Sequence, residues 1–158
     1  MKLTANEEYG LRCLVRIGYA GEGGSLTIPE MSQAESISPA YAAKLLRVLR
    51  KGGFVKAARG KDGGYTLARP AEAIVIGDVM DVLGGRIFES SFCASHAGQA
   101  AICTRSVDCS VRSLWRAVQV AVDQVLSQAT LRDLLQNEAE MNSWVRTIPG
   151  PNGIRLLQ

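Results

Sequence analysis

The segment from Thr27 to Gly53 constrains this chain more than any other. It reads as two short helices joined by a tight turn, the second of them basic. In TIPEMSQAE, Thr27 is a helix cap and Pro29 sits in the first turn, where a missing N–H costs nothing. Glu35 to Ser38 form the turn. Ser38 then caps a further helix with Pro39 at its first position, and Gly52-Gly53 stops it. Tyr41, Leu45, Val48 and Leu49 are its expected core stripe. A helix, a short turn and a second, basic helix make a helix-turn-helix.

The flanking sequence completes a small domain. Residues 4 to about 20 predict a first helix, opened by a Thr4/Glu7 capping box and continued by Leu11, Leu14, Val15 and Gly18 at helical spacing. After the basic helix, Phe54 to Arg59 and Gly64 to Ala68 are extended runs around Gly60, Gly63 and Gly64, predicting a β-hairpin with a basic tip. Ile74, Ile76, Val79, Met80 and Leu83 predict a fourth helix that ends at Gly84-Gly85. The expected fold is mostly α with a small β-hairpin: a winged helix-turn-helix over 1–86, followed by a long helix.

Residues 87–109 change character, becoming polar, small and cysteine-bearing, and predict an irregular loop. A long helix then begins at Ser110. Val111, Leu114, Val118, Ala121 and Val125 alternate in steps of three and four, with Trp115, Val122 and Leu126 widening the stripe. A stripe that wide exceeds what a lone surface helix needs and suits a dimer interface, with packing on its own domain as the alternative. Leu131, Leu134 and Leu135 predict one further short helix in this 110–137 region. Residues 138–158, with Pro149-Gly150-Pro151, read as a C-terminal tail.

Charge is distributed unevenly. Residues 1–70 carry 11 Lys/Arg against 6 Asp/Glu, and residues 71–158 carry 7 against 9. From Ser36 to Lys61 there are seven basic residues (Lys44, Arg47, Arg50, Lys51, Lys56, Arg59, Lys61) and no acid, which favours a polyanionic partner, with a solvated basic face as the alternative. Apolar runs are interrupted well short of membrane-spanning length, and MKLTANEEYG has no apolar signal core, so the expected location is the cytoplasm. No acid–base pair or nucleophile constellation stands out, which argues against an enzyme. Three of the four cysteines, Cys93, Cys103 and Cys109, fall within 17 positions in the pattern C-x9-C-x5-C. In a cytosolic chain such a group suggests a metal or redox site before structural disulfides. Thiolates are soft ligands that suit iron–sulfur clusters, zinc and Cu(I).

MKLT, ISPAYAAKLLRVLRKGGFV, RGKDGGYTLARP, IGDVMDVLGG and CSVRSLWRAV together resemble the Rrf2 superfamily of winged-helix transcription regulators, of the IscR, NsrR and RirA type, over residues 1 to about 137. The resemblance implies a dimer that binds double-stranded DNA at near-palindromic operators. It also implies an iron–sulfur cluster, [2Fe–2S] or [4Fe–4S], that senses iron, redox state or nitric oxide. The cluster cysteines carry over to Cys93, Cys103 and Cys109, although the first gap is longer than the usual pattern. The histidine ligand of IscR-type members falls near Arg112, whose guanidinium has no lone pair to offer. The partner-subunit carboxylate of NsrR-type members falls on Glu8, which otherwise simply favours the positive end of its helix. His96 is the competing ligand and would make a Cys₃His zinc site with the three cysteines. Cys13, inside the first helix, reads as a small buried hydrophobe.

For DNA, the basic helix is expected to enter the major groove with Ser38, Tyr41, Lys44 and Arg47 presented from its N-terminal half. Tyr41 fits a core position equally well. The family's minor-groove wing arginine falls on Arg59, beside Lys61, and Ala43 stands where IscR-type members carry an acid. The leading expectation is thus a dimeric DNA-binding regulator controlled by a cluster. Its alternatives are a winged-helix regulator with structural zinc or a thiol-redox switch, and a protein-interaction module that uses the same fold without DNA.

Overall fold

The structure is a computed structural model that describes residues 3–21, 23–58, 63–89, 91–95, 103 and 108–148. Helix α1 (Ala5–Tyr19) opens on the expected capping box: the Thr4 amide donates to Glu7 Oε2 at 2.7 Å and the Glu7 amide to Thr4 Oγ1 at 3.4 Å. Helix α2 (Ile28–Glu35) starts the same way, with Thr27 and Glu30 capping each other. Ser36 takes a left-handed conformation (φ 52°), and the Ser32 hydroxyl donates to the Ile37 carbonyl at 2.6 Å, which closes the turn into α3 (Pro39–Lys51). Strands β1 (Val55–Ala58) and β2 (Gly64–Leu67) pair antiparallel, Val55 opposite Leu67 and Ala58 opposite Gly64. Leu26 forms a bridge to Tyr65, so the segment before α2 lies along the hairpin. Gly64 adopts φ +150°, and a Cβ there would lie 2.9 Å from the Leu26 carbonyl oxygen, so this bridge depends on glycine.

A single 3₁₀ turn (Ala71–Ala73) leads into α4 (Ile76–Leu83). One helical turn, α5 (Phe92–Ser95), follows, then the long helix α6 (Ser110–Leu126). Beyond α6 the chain returns to the winged helix. The Ile76 amide donates to Ala129 O and the Leu131 amide to Ile74 O, both at 2.8 Å. Leu131, at the start of α7 (Leu131–Leu134), is thereby fully buried in the core.

The core joins Cys13, Leu14 and Ile17 of α1, Met31 of α2, the inner face of α3, and Phe54, Ile74 and Val79. Burying each large apolar side chain contributes about 1.5–3 kcal/mol. Along α3 the fully buried set is Ala42, Leu45, Leu46 and Leu49, whereas Tyr41 and Val48 are half-buried. The stripe is rotated relative to the expected one: the phenol of Tyr41 needs a polar partner, which it finds in Asn6 Oδ1 of α1, and Ala42 is buried instead.

Residues 138–147, read from sequence as part of the tail, form helix α8 (Glu138–Thr147). Asn137 and Glu140 cap its start reciprocally, Trp144 packs on the core, and Ile148 is buried just past the end. Pro149 and the residues after it lie outside the described residues.

Among the described residues, one charged group is buried in this framework. Glu35, the last residue of α2, is 4% exposed, and its carboxylate accepts from Arg12 Nε at 2.8 Å and Arg16 Nε at 2.9 Å. Arg12 and Arg16 are one turn apart on α1, so the ion triad fixes α1 against the helix that leads into α3. A buried carboxylate stripped of its partners is strongly destabilising. The double variant Arg12→Ala/Arg16→Ala is therefore expected to lose about 3–5 kcal/mol of unfolding free energy in urea titration. Glu35→Leu removes the buried charge itself and is expected to lose clearly less, and equal losses would contradict the clamp.

Candidate functional site

The outer face of α3 is cationic. Lys44, Arg47, Arg50 and Lys51 are all exposed, and Lys56 extends the surface onto β1. Ser38 is exposed too, with its hydroxyl oxygen accepting from the Tyr41 amide at 3.2 Å as the helix cap. Tyr41 is more committed to the fold: its hydroxyl donates to Asn6 Oδ1 at 3.0 Å, and its ring meets Tyr9 edge-on at 6.1 Å. Lys44 Nζ lies 5.9 Å from the centre of that ring, so Tyr41 and α1 support the lysine from beneath. Arg69 lies over the Phe54 ring at 5.0 Å and braces the hairpin. Arg59 and Lys61, the expected wing contacts, lie outside the described residues. A helix with an exposed cationic face beside a two-stranded wing has the shape and charge to enter a DNA groove.

The cysteines divide into two kinds. Cys13 is wholly buried, and burial, reinforced by the Glu35 charge, pushes its thiol pKa up to about 12. Burial inside the core, away from the loop thiols, fits the small hydrophobe that its helical position suggested. Cys93, Cys103 and Cys109 are half-buried, and none is in a disulfide. Cys109 is the N-cap of α6, its sulfur accepting from the Arg112 amide at 3.3 Å. Amide-to-sulfur hydrogen bonds of this kind are among the levers by which proteins tune sulfur-ligated metal centres. Cys93, on α5, lines an open cleft of about 420 Å³ together with Phe88, Arg112, Arg116 and Gln119. Three half-buried thiols are the donor type that suits a soft metal centre. Among the described residues, no three His, Cys, Asp or Glu side chains are gathered into one metal-binding group. His96 lies outside the described residues.

Glu8 is exposed on α1, in a cleft it lines with Arg12, Arg16, Leu11 and Leu134. Among the described residues, none of the three loop cysteines lines that cleft. Helix α6 leaves Val111, Leu114, Trp115 and Val120 exposed at 55%, 58%, 39% and 62%. Val122 and Leu126 instead line a cleft against α4. The apolar stripe therefore has two parts, Val122 and Leu126 serving the protomer and Val111, Leu114 and Trp115 facing outward, while Val120 lies on the opposite side of the helix.

Sequence reasoning missed the Glu35 ion triad and the buried Gln119. No local pattern announces either one, since each depends on a partner 19 or more positions away. No helix among the described residues is long and apolar enough to cross a membrane.

The Rrf2 family, described as an iron-dependent transcriptional regulator, matches residues 3–137. Protein rrf2 of Nitratidesulfovibrio vulgaris is 35% identical over 137 residues, covering 87% of this chain and 89% of that one. Among solved structures, IscR of T. potens superposes with a TM-score of 0.67 at 30% identity, covering 85% of this chain and 86% of its own. CymR, the global cysteine regulator of B. subtilis, gives a TM-score of 0.64 at 28% identity over 85% of this chain and 96% of its own. These relatives are regulators and not enzymes, and their winged helix is the fold described above. The chain belongs to the Rrf2 family of transcriptional regulators.

Proposed function

We propose that the protein is a homodimeric, sequence-specific DNA-binding regulator whose operator affinity is set by an iron–sulfur cluster. Cys93, Cys103 and Cys109 would hold the cluster, with Glu8 of the partner subunit as fourth ligand. One observation carries this reading: α6 bears a loop thiol, Cys109, as its N-cap and an outward apolar patch, Val111, Leu114 and Trp115, over the turns that follow it. One of the loop thiols and the surface that would meet a second copy thus belong to one helix. A cluster bound there supplies a centre whose integrity depends on iron, oxygen or nitric oxide. The exposed face of α3 binds the major groove through Lys44 and Arg47, and the wing carries Arg59 and Lys61 toward the backbone or minor groove. A two-fold dimer reads near-palindromic sites with half-sites roughly one helical turn, or a multiple, apart.

A second reading, a thiol-redox switch without metal, draws on the accessibility of the loop thiols and on the likeness to a cysteine regulator. Anaerobic purification with iron and acid-labile sulfide analysis separates the two. The cluster reading expects coloured protein containing both. Ser at Cys93, Cys103 or Cys109 is expected to abolish the colour, because a hydroxyl is a poor replacement for a thiolate on iron, and Cys13→Ser to preserve it. Glu8→Ala is expected to retain part of the cluster with an altered spectrum. An altered spectrum only in His96→Ala would transfer the fourth ligand there. Colourless protein with one zinc per chain, or with no metal, discards the cluster.

Two further expectations concern the surfaces. Leu114→Asp replaces an exposed residue, so the protomer fold tolerates it. In a dimer seam it is expected to cost on the order of 3 kcal/mol, about a hundredfold in dimer Kd by sedimentation. Unchanged self-association would place the interface elsewhere. Lys44→Ala is expected to weaken operator binding and, if the contact is to phosphate, to reduce the log–log salt slope by about one. Unchanged affinity and slope would mean that α3 does not face DNA.

A further inference from the structure

Gln119 is the one fully buried polar residue of α6, and neither DNA binding nor thiol chemistry accounts for it. Its Oε1 accepts from the Phe88 amide at 2.9 Å, and its Nε2 donates to Asp123 Oδ1 at 2.7 Å. The other oxygen of Asp123 accepts from Arg86, and the second amino group of Arg86 lies 3.8 Å from Asp81 on α4. Phe88, 8% exposed, packs against Phe92 with ring centroids 5.1 Å apart, and Cys93 is the next residue. Phe88, Cys93, Gln119 and Asp123 line the same cleft.

The chemistry of this site selects glutamine. The residue must accept a hydrogen bond from a backbone N–H and donate one to a carboxylate at the same time, and a primary amide does both. A carboxylate at 119 would face Asp123 with acceptors only. An aliphatic residue would leave the Phe88 amide and Asp123 without their partner in a buried setting, which is costly. We propose that Gln119 is a positioning residue for Cys93. Through Phe88 and the Phe88–Phe92 pair it holds the start of the cysteine loop on α6, at a fixed place relative to Cys109 at the helix N-terminus. Asp123, Arg86 and Asp81 extend the same latch to α4, which packs against α1 and α3 in the winged helix. As a statement about ligand placement, the proposal rests on the assignment of Cys93 to the cluster. As a statement about the loop, it does not.

The test therefore uses metal-free, reduced, full-length protein, with alkylation of each cysteine by N-ethylmaleimide followed by peptide mass spectrometry. Gln119→Leu is expected to raise the Cys93 rate about tenfold, the population change that loss of one or two hydrogen bonds produces. Cys13, in the core, is expected to stay unreactive. Gln119→Glu alone should also accelerate Cys93. The double variant Gln119→Glu/Asp123→Asn reverses donor and acceptor across the pair, keeps the net charge, and should restore the wild-type rate. An unchanged Cys93 rate in both single variants overturns the latch, as does failure of the double variant to restore it. Parallel acceleration of Cys13 would report general loosening and would overturn it as well. Absence of iron from anaerobically isolated protein would defeat the cluster assignment while leaving this outcome intact, so the two failures are distinguishable.

Discussion

Of the seventeen residues of α6, only Gln119 is fully buried within the protomer, while Val111, Leu114 and Val120 stand more than half exposed. A helix of this length gains most of its stability from tertiary packing of an apolar face, and here Val111, Leu114 and Trp115 of that face stay exposed among the described residues. The helix is nevertheless fixed at both ends. Cys109 caps its start, and the backbone pairing of Ala129 and Leu131 with Ile76 and Ile74 sews its exit into the winged helix. Any second surface that covers α6 must therefore act on a helix already joined to the DNA-binding core at one end and to the thiol loop at the other.

That arrangement gives the proposed regulation a physical route. The inner side of α6 touches α4 through Val122, Leu126 and the Arg86–Asp123 pair, and α4 packs against α1 and α3. On α1, Glu8, Arg12 and Arg16 recur every four residues and share one cleft, and the two arginines clamp the buried carboxylate that ends α2. A ligand engaged at Glu8 would meet the same helix face that locks the helix-turn-helix. Differential binding at the loop could then bias the placement of α3, since a ligand shifts an equilibrium only by its differential affinity for two states.

Most of the winged helix is written in local chemistry. Thr4/Glu7, Thr27, Ser38-Pro39 and Gly64 of the hairpin are turn and cap signals that act within three or four residues, and each appears where the sequence places it. The α3 stripe was legible in period but not in phase: Leu45 and Leu49 are buried, but the phenol of Tyr41 draws that residue to the edge and brings Ala42 and Leu46 inward. Helix α8 was hidden by the terminal prolines and glycines, although Asn137 with Glu140 and the spacing of Met141, Trp144, Val145 and Ile148 carry its signal. The Glu35 triad and the Gln119 latch are tertiary. Arg12, Arg16 and Gln119 look like ordinary solvated helix residues until distant segments fold against them. The cysteine trio stands out by residue type and spacing, its ligand role comes from the family resemblance, and Cys109 as a helix cap adds geometry that spacing could not supply.

The central claim is that occupancy of the cysteine loop and affinity for DNA are coupled through α6. The most direct measurement is the operator Kd of a single anaerobic preparation, taken before and after removal of its iron, at one fixed salt concentration. Coupling free energies between sites are typically about 1–3 kcal/mol, so the account predicts a change in Kd of roughly tenfold or more between the two forms. Equal affinities for iron-loaded and iron-free protein would contradict it.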